Sequence, residues 1–271
     1  PTADKLPFIP YHRESRRIHG LVRFDVNEET LPAAVAGLKT CGIRGFNLTM
    51  PNKNKIVELL DELSPEAQLI GAVNTVLNDN GKLIGYNTDG YGFMQSVRDA
   101  GHDITGKNIT VMGVGGASMA ICAQSALDGA ASVHIFARRT SRYWNRTQKF
   151  AENLSAKTGC QVCLFDNDDH TALRDSIAQS YLLINATSVG MVPDIDDTII
   201  KDTSLFHPEL VVADVVYEPQ ETRLLREAKA TGCQTFNGMY MLLHQGAKAF
   251  QIWTGQEMPV SVIKEKYFSV K

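Results

Sequence analysis

From Asn108 onward the chain keeps one rhythm, in which a short uninterrupted apolar run is followed, in most cases, by a helical pattern and then another apolar run. The runs are Asn108 to Met112, Ser132 to Ala137, Gln161 to Phe165, Leu182 to Ala186, Leu210 to Val215 and Gln234 to Phe236. A strand with one wet face alternates apolar and polar residues. Runs without alternation are buried on both faces, and helical crossovers between them impose a parallel sheet. This predicts a doubly wound α/β domain over residues 103–237.

The stretch before it, residues 1–102, reads differently. A strand is expected at Leu21 to Val26 and a helix at Glu28 to Leu38, with Pro32 tolerated in its first turn. A strand at Ile43 to Met50 stops at Pro51, and helices follow at Lys55 to Leu60 and Pro65 to Ile70, the second capped by Ser64. Val73 to Leu77 and Lys82 to Tyr86 flank Asn78-Asp79-Asn80-Gly81, which predicts a β-hairpin. A helix from Thr88 to Ala100 leads into the parallel-sheet half. The last helix, Met239 to Trp253, lies in a segment (238–271) expected to return to the first domain.

Composition narrows the function. The 271 residues carry 27 basic and 30 acidic side chains, a formal net charge of -3, so no global field favours nucleic acid or a membrane surface. The expected partner is a small molecule, with the protein a monomer or homodimer. No apolar run approaches the roughly 20 residues of a membrane helix. The five cysteines, without a secretory signal, fit a reducing cytoplasm. Cys160 and Cys163 form a C-x-x-C inside an expected strand, with no second pair and no nearby histidine, so no metal site is expected.

Gly113-Val114-Gly115-Gly116-Ala117-Ser118 follows a strand and opens a helix. In a Rossmann-type dinucleotide site, Gly113 would allow the tight turn, Gly115 the approach of a pyrophosphate, and the small Ser118 close helix–sheet packing. The N–H groups of the helix start at Gly116 and Ala117 supply the anion site. The next strand ends Ala137-Arg138-Arg139-Thr140-Ser141-Arg142, with no acid to take a ribose 2′-hydroxyl. Arg138 and Arg139 therefore tilt the expectation toward NADP over NAD, although arginine also stacks on adenine without reading the phosphate.

A second run carries chemistry. Asn47-Leu48-Thr49-Met50-Pro51-Asn52-Lys53 sets a lysine just after a strand, and Tyr86-Asn87-Thr88-Asp89-Gly90 supplies a carboxylate able to hold it. Oxidation of a secondary alcohol needs a group that takes the hydroxyl proton and returns it in reverse. Lys53 beside Asp89 is the candidate.

These runs, with Gly71 to Thr75 (GAVNT), Asn185 to Met191 (NATSVGM), Val215 to Pro219 (VVYEP) and Asn237 to Ala247 (NGMYMLLHQGA), resemble the shikimate dehydrogenase family, and more closely its quinate/shikimate branch. The resemblance runs from about Leu21 to the C-terminus. It implies Lys53 as acid/base with Asp89 as partner, and Thr49, Asn74 and Gln245 as polar contacts to the substrate ring. Tyr217 would face the substrate carboxylate. Gly238 and Met241 would lie by the nicotinamide, and Thr187, Ser188 and Val189 would line the cofactor path. The implied reaction interconverts shikimate and 3-dehydroshikimate, or quinate and 3-dehydroquinate, with NADP or NAD. The alternatives are a member acting on another polyhydroxylated or amino-substituted ring acid, and a binding module that has lost turnover.

Two features depart from the family pattern. Asn52 stands where the narrower shikimate enzymes commonly have an aromatic residue. The family's opening strand and Ser-x-Ser pair, which bind the substrate carboxylate, have no counterpart in Pro1 to Gly20, where only Ser15 occurs. Either that element has diverged, in which case Arg13, Arg16 or Arg17 could take the carboxylate as a bidentate pair, or residues are missing from the chain as given.

Overall fold

A computed structural model describes residues 24–268, and the chain divides into two compact units. One takes the residues up to Thr88 together with those from Gln245 on; the other is Asp89–His244. Arg13, Ser15, Arg16 and Arg17 lie outside the described residues, as do residues 21–23 of the strand expected at Leu21 to Val26; residues 24–26 form no strand.

In the first unit the order is α1 (Leu31–Thr40), β1 (Gly45–Asn47), α2 (Asn52–Lys55), a 3-10 turn (Ile56–Leu59), β2 (Glu62–Leu63), α3 (Pro65–Ile70), β3 (Thr75–Asp79) and β4 (Lys82–Tyr86). The sheet runs β1-β3-β4-β2, with β1 and β4 antiparallel to β3 and β2 parallel to β4. The expected hairpin is present. Asn80 and Gly81 both have positive φ, 55° and 92°, the two-residue turn whose twist matches the strands, and Gly81 N donates to Asn78 Oδ1 at 2.8 Å. Ser64 caps α3, its side chain accepting from Ala67 N at 3.3 Å.

Several expected bounds change here: the helix expected at Glu28 to Leu38 spans Leu31–Thr40, and the strand expected at Val73 to Leu77 spans Thr75–Asp79. The strand expected at Ile43 to Met50 shrinks to three residues, because β3 pairs only with Gly45, Phe46 and Asn47. The helix expected at Lys55 to Leu60 begins earlier, at Asn52, and tightens to 3-10 geometry from Ile56. Leu31, Val35, Phe46, Ile56, Val73, Val76 and Leu83 form the core of this sheet.

The second unit contains α4 (Asp89–Asp99), β5 (Asn108–Met112), α5 (Gly116–Leu127), β6 (Ser132–Ala137), α6 (Trp144–Thr158), β7 (Gln161–Asp166), α7 (His170–Gln179), β8 (Leu182–Asn185), β9 (Val211–Asp214), α8 (Arg223–Ala230), β10 (Gln234–Phe236) and the first part of α9 (Met239–Thr254). Its six strands are all parallel, in the order β10-β9-β8-β5-β6-β7. This is the doubly wound α/β arrangement expected, with the strand order reversing between β5 and β8. Such a reversal opens a crevice at the carboxyl ends of those two strands, where a nucleotide binds in folds of this kind.

The rest of α9 belongs to the first unit. Leu77, Ala249 and Trp253 pack together there, and the Trp253 indole N–H donates to Val76 O at 2.9 Å. Gly45 makes that seat possible, since a Cβ on it would lie 2.0 Å from the indole nitrogen. A short α10 (Val260–Ile263) follows.

Among the described residues, no helix is long and apolar enough to cross a membrane, and no His/Cys/Asp/Glu cluster could hold a metal ion. Cys160 and Cys163 are unbridged, with Cys160 buried and its thiol pushed up to about 11 by burial.

Candidate active site

In the first unit, one buried side chain joins the run that carries Lys53 to the residue before Asp89. Asn74 is 2% exposed, immediately before β3. Its Nδ2 donates to Thr88 Oγ1 at 2.9 Å, and its Oδ1 accepts from Thr88 N at 2.9 Å and from Thr75 Oγ1 at 2.9 Å. Its backbone carbonyl accepts from Leu48 N at 2.8 Å and from Asn47 Nδ2 at 3.1 Å. Beside it, Val73 N donates to Lys53 O at 2.8 Å. The run that carries Thr49 and Lys53 is thus pinned to the start of β3, and the start of β3 is pinned to Thr88, the residue before Asp89.

Lys53 is half-buried in α2, Thr49 is exposed, and Gln245 is half-buried on α9, two turns before the Trp253 anchor. Asp89 opens α4 and is 9% exposed. A carboxylate in a first helical turn interacts favourably with the helix dipole. Gly90, next in that motif, is required by packing, because a Cβ there would lie 2.2 Å from Ala120 O of α5.

Asn52 has a structural task. It is 8% exposed and its Nδ2 donates to Val26 O at 2.7 Å, fastening the chain before α1 to the start of α2. A cavity of about 660 Å³ beside it is lined chiefly by apolar groups, including Val26, Leu31, Val35 and Phe46; Thr49 and Asn52 border it, and Lys53, Asn74 and Gln245 do not. That lining suits an apolar occupant better than a polyhydroxylated ring.

In the second unit, the glycine-rich turn has the geometry a phosphate cradle needs. Gly113 has φ +109°, and a Cβ on it would sit 2.7 Å from Thr187 Cγ2 and 3.0 Å from Ala186 O, so the turn after β5 and the loop after β8 touch there. At Gly115 and Gly116 an added Cβ would meet nothing within 4 Å. The start of α5 therefore leaves open space at its N–H groups, which suits a pyrophosphate. Ser118 is fully buried, and its Oγ donates to Gly113 O at 2.6 Å. Ala117 lies between them in the first turn of α5.

After β6, Arg138 and Arg139 are exposed, and the Arg139 guanidinium sits 4.7 Å from the centre of the Trp144 ring. Arg142 stacks on Tyr143 at 4.8 Å. Arg142 also donates from Nη2 to the Tyr143 hydroxyl at 2.6 Å, whereas the contact of Arg139 with the ring face orients its guanidinium without using up its donors.

The loops after β8 and β9 hold Thr187, Ser188, Val189 and Tyr217, and they carry a polar network that sequence reasoning missed. Asn185 Oδ1 accepts from Thr187 N at 3.1 Å and Thr187 Oγ1 at 2.7 Å, while its Nδ2 donates to Val189 O at 3.1 Å and to Asp214 Oδ1 at 3.0 Å. Asp214 is 0% exposed; burial raises its carboxyl pKa, and donors from Val216 N, Thr222 and Asn185 pull it back in part. The available signal was an acid and an amide closing two otherwise apolar strands, where each needs a buried partner. Ser188 and Tyr217 are exposed, Tyr217 at 43%. Gly238 is buried, and a Cβ on it would lie 2.1 Å from Val215 O; Met241 is half-buried one turn into α9.

Comparison with known proteins agrees with this geometry. Residues 12–76 match the shikimate dehydrogenase substrate binding domain, and residues 238–266 match the shikimate 5'-dehydrogenase C-terminal domain. A shikimate dehydrogenase (NADP(+)) of Listeria innocua is 50% identical over 245 residues, covering 90% of this chain and 84% of that protein. The chain belongs to the shikimate dehydrogenase family. A quinate/shikimate dehydrogenase of Escherichia coli is 42% identical over 242 residues, covering 89% of this chain and 84% of that protein. The crystal structure of the Listeria monocytogenes shikimate 5-dehydrogenase, in complex with shikimate and NAD, superposes with a TM-score of 0.88 at 49% identity, covering 90% of this chain and 84% of that one.

Proposed function

We propose that this family member is an NAD(P)-dependent oxidoreductase that interconverts shikimate and 3-dehydroshikimate, with Lys53 as the acid/base. The observation that carries the reading is the Asn74 network, in which one buried amide fixes Thr88 and, through its carbonyl and the adjacent Val73 N–H, the run bearing Thr49 and Lys53.

In the oxidising direction, Lys53 Nζ takes the proton of the ring hydroxyl as its carbon becomes a carbonyl, and returns that proton on reduction. The nicotinamide, when bound, accepts the hydride from the same carbon. Asp89 is assigned as the partner of Lys53. Thr49, Asn74 and Gln245 meet the ring hydroxyls, each of which needs a partner once it leaves water. Tyr217 meets the substrate carboxylate. Gly113, Gly115, Gly116 and Ala117 hold the pyrophosphate at the start of α5, which Ser118 packs closely on the sheet, and Arg138 and Arg139 face the adenosine ribose. Thr187, Ser188, Val189, Gly238 and Met241 line the nicotinamide.

The 42% identity to a quinate/shikimate dehydrogenase favours quinate as a second substrate. Both cofactors are open to the chain, since one relative is named for NADP and another is seen with NAD. The exposed arginine pair and the missing acid after β6 favour NADP.

A panel assay tests this reading: shikimate and quinate, each with NADP and NAD, followed at the nicotinamide absorbance. Turnover of shikimate is expected, fastest with NADP. Cofactor binding without turnover in all four mixtures would leave a binding module instead.

A further inference from the structure

Asp214 closes β9, fully buried, in a strand whose other residues are Val211, Val212 and Ala213. It is the parallel-register partner of Asn185, which closes β8, so both side chains leave the sheet at its carboxyl edge. Its two oxygens receive three donors: Asn185 Nδ2 (3.0 Å) and Val216 N (2.9 Å) on Oδ1, and Thr222 Oγ1 (2.8 Å) on Oδ2. Each donor governs a different piece of chain. The Asn185 amide is the hub around which Thr187 and Val189 wrap. Val216 is the turn after β9, and its carbonyl accepts from Gly238 N at 3.3 Å. Thr222 is the N-cap of α8, accepting from Leu225 N at 3.4 Å.

We propose that Asp214 is the positioning residue of the cofactor half: one carboxylate sets the loop 187–189 against the junction of Val216 with Gly238, and so shapes the nicotinamide pocket. The inference rests on the assignment of Thr187, Ser188, Val189 and Gly238 to that pocket. An apolar side chain at 214 would fill the space equally well, but it would strand three buried donors. A buried carboxylate is costly without such donors, and here no cation is among its hydrogen-bond partners. Its role is therefore to be an acceptor in several directions at once. An asparagine can imitate this, with its oxygen accepting from Asn185 and Val216 and its amide donating to Thr222 Oγ1.

The test measures the dissociation constant of NADPH by nucleotide fluorescence, with circular dichroism establishing that each variant is folded at the temperature used. Asp214→Ala is expected to weaken NADPH binding on the order of 10- to 100-fold, and Asp214→Asn to restore it to within about 3-fold of wild type. A folded Asp214→Ala protein that melts earlier but binds NADPH as tightly as wild type would reduce Asp214 to a structural residue and overturn the proposal. Should Asp214→Ala fail to fold, Thr222→Val decides, since of the three bonds to Asp214 it removes only the one on Oδ2, together with the α8 cap bond from Leu225 N. About 3- to 10-fold weaker binding supports the proposal, and an unchanged constant overturns it. If wild type itself binds neither NADPH nor NADH, the cofactor assignment fails and this inference with it. If wild type binds and all variants bind equally, only the inference fails.

Discussion

The two units each rest on a buried amide, but they differ in what surrounds it. In the first, side chains hold side chains: Asn47, Asn74, Thr75 and Thr88 form a closed set of hydrogen bonds, mostly buried, around the start of β3. In the second, a side-chain network around Asn185 and Asp214 is combined with close approach at glycines, Gly113 against Thr187 and Gly238 against Val215. The groups expected to discriminate between cofactors, Arg138 and Arg139, stand in water. The difference teaches where each property can change. On the proposed assignments, proton transfer would depend on buried atoms whose loss leaves other atoms unsatisfied, whereas cofactor preference would depend on exposed groups that substitution can alter at little cost to the fold.

After Lys53 itself, the largest expected effect lies at Asp89. On the proposed assignment of Asp89 as the partner of Lys53, Asp89→Asn keeps the shape and removes the carboxylate charge, so kcat with shikimate should fall on the order of 100-fold while NADPH affinity stays near wild type. Equal losses in both would show that Asp89 serves the second unit's fold, and would blur the division between the two halves.

Next comes Asn74→Ala. It leaves Thr88 N and the Thr75 hydroxyl without their acceptor, which should cost about 2 kcal/mol of stability, measured by urea unfolding, together with a clear drop in kcat/KM for shikimate. Full stability would mean that the network is ornamental to the site.

The smallest effect belongs to the exposed pair. The double variant Arg138→Ala/Arg139→Ala should lower the preference for NADP over NAD about 10-fold, leaving NAD kinetics and stability unchanged. A variant that lost stability would show the Trp144 stacking to be structural, against the contrast drawn between the halves.

Much of the second unit was legible because its strands are buried on both faces. Asn108–Met112, Ser132–Ala137 and Gln234–Phe236 fall at the expected residues, and the other three differ by no more than one residue at either end. Local rules also served well for the Asn80-Gly81 turn and the Ser64 cap. β1 was read too long, since a run of apolar residues does not show where its partner strand ends. The polar networks left the faintest trace. Asn185 and Asp214 are 29 residues apart and Asn47 and Thr75 are 28 apart, separations that no helical or strand period encodes. What the sequence did hold was the chemical oddity of Asn185 and Asp214 at the ends of buried strands, and of Asn74 ahead of β3. The motif resemblance flagged Asn74 as a ring contact; the coordinates add that the same amide organises the run around it.

The most direct measurement is the turnover of Lys53→Ala with shikimate at saturating NADP, beside its NADPH dissociation constant. With the proton acceptor gone and the cofactor half untouched, kcat should fall on the order of 1,000-fold or more while the dissociation constant stays at the wild-type value. A kcat close to wild type would contradict the assignment of Lys53 as the acid/base.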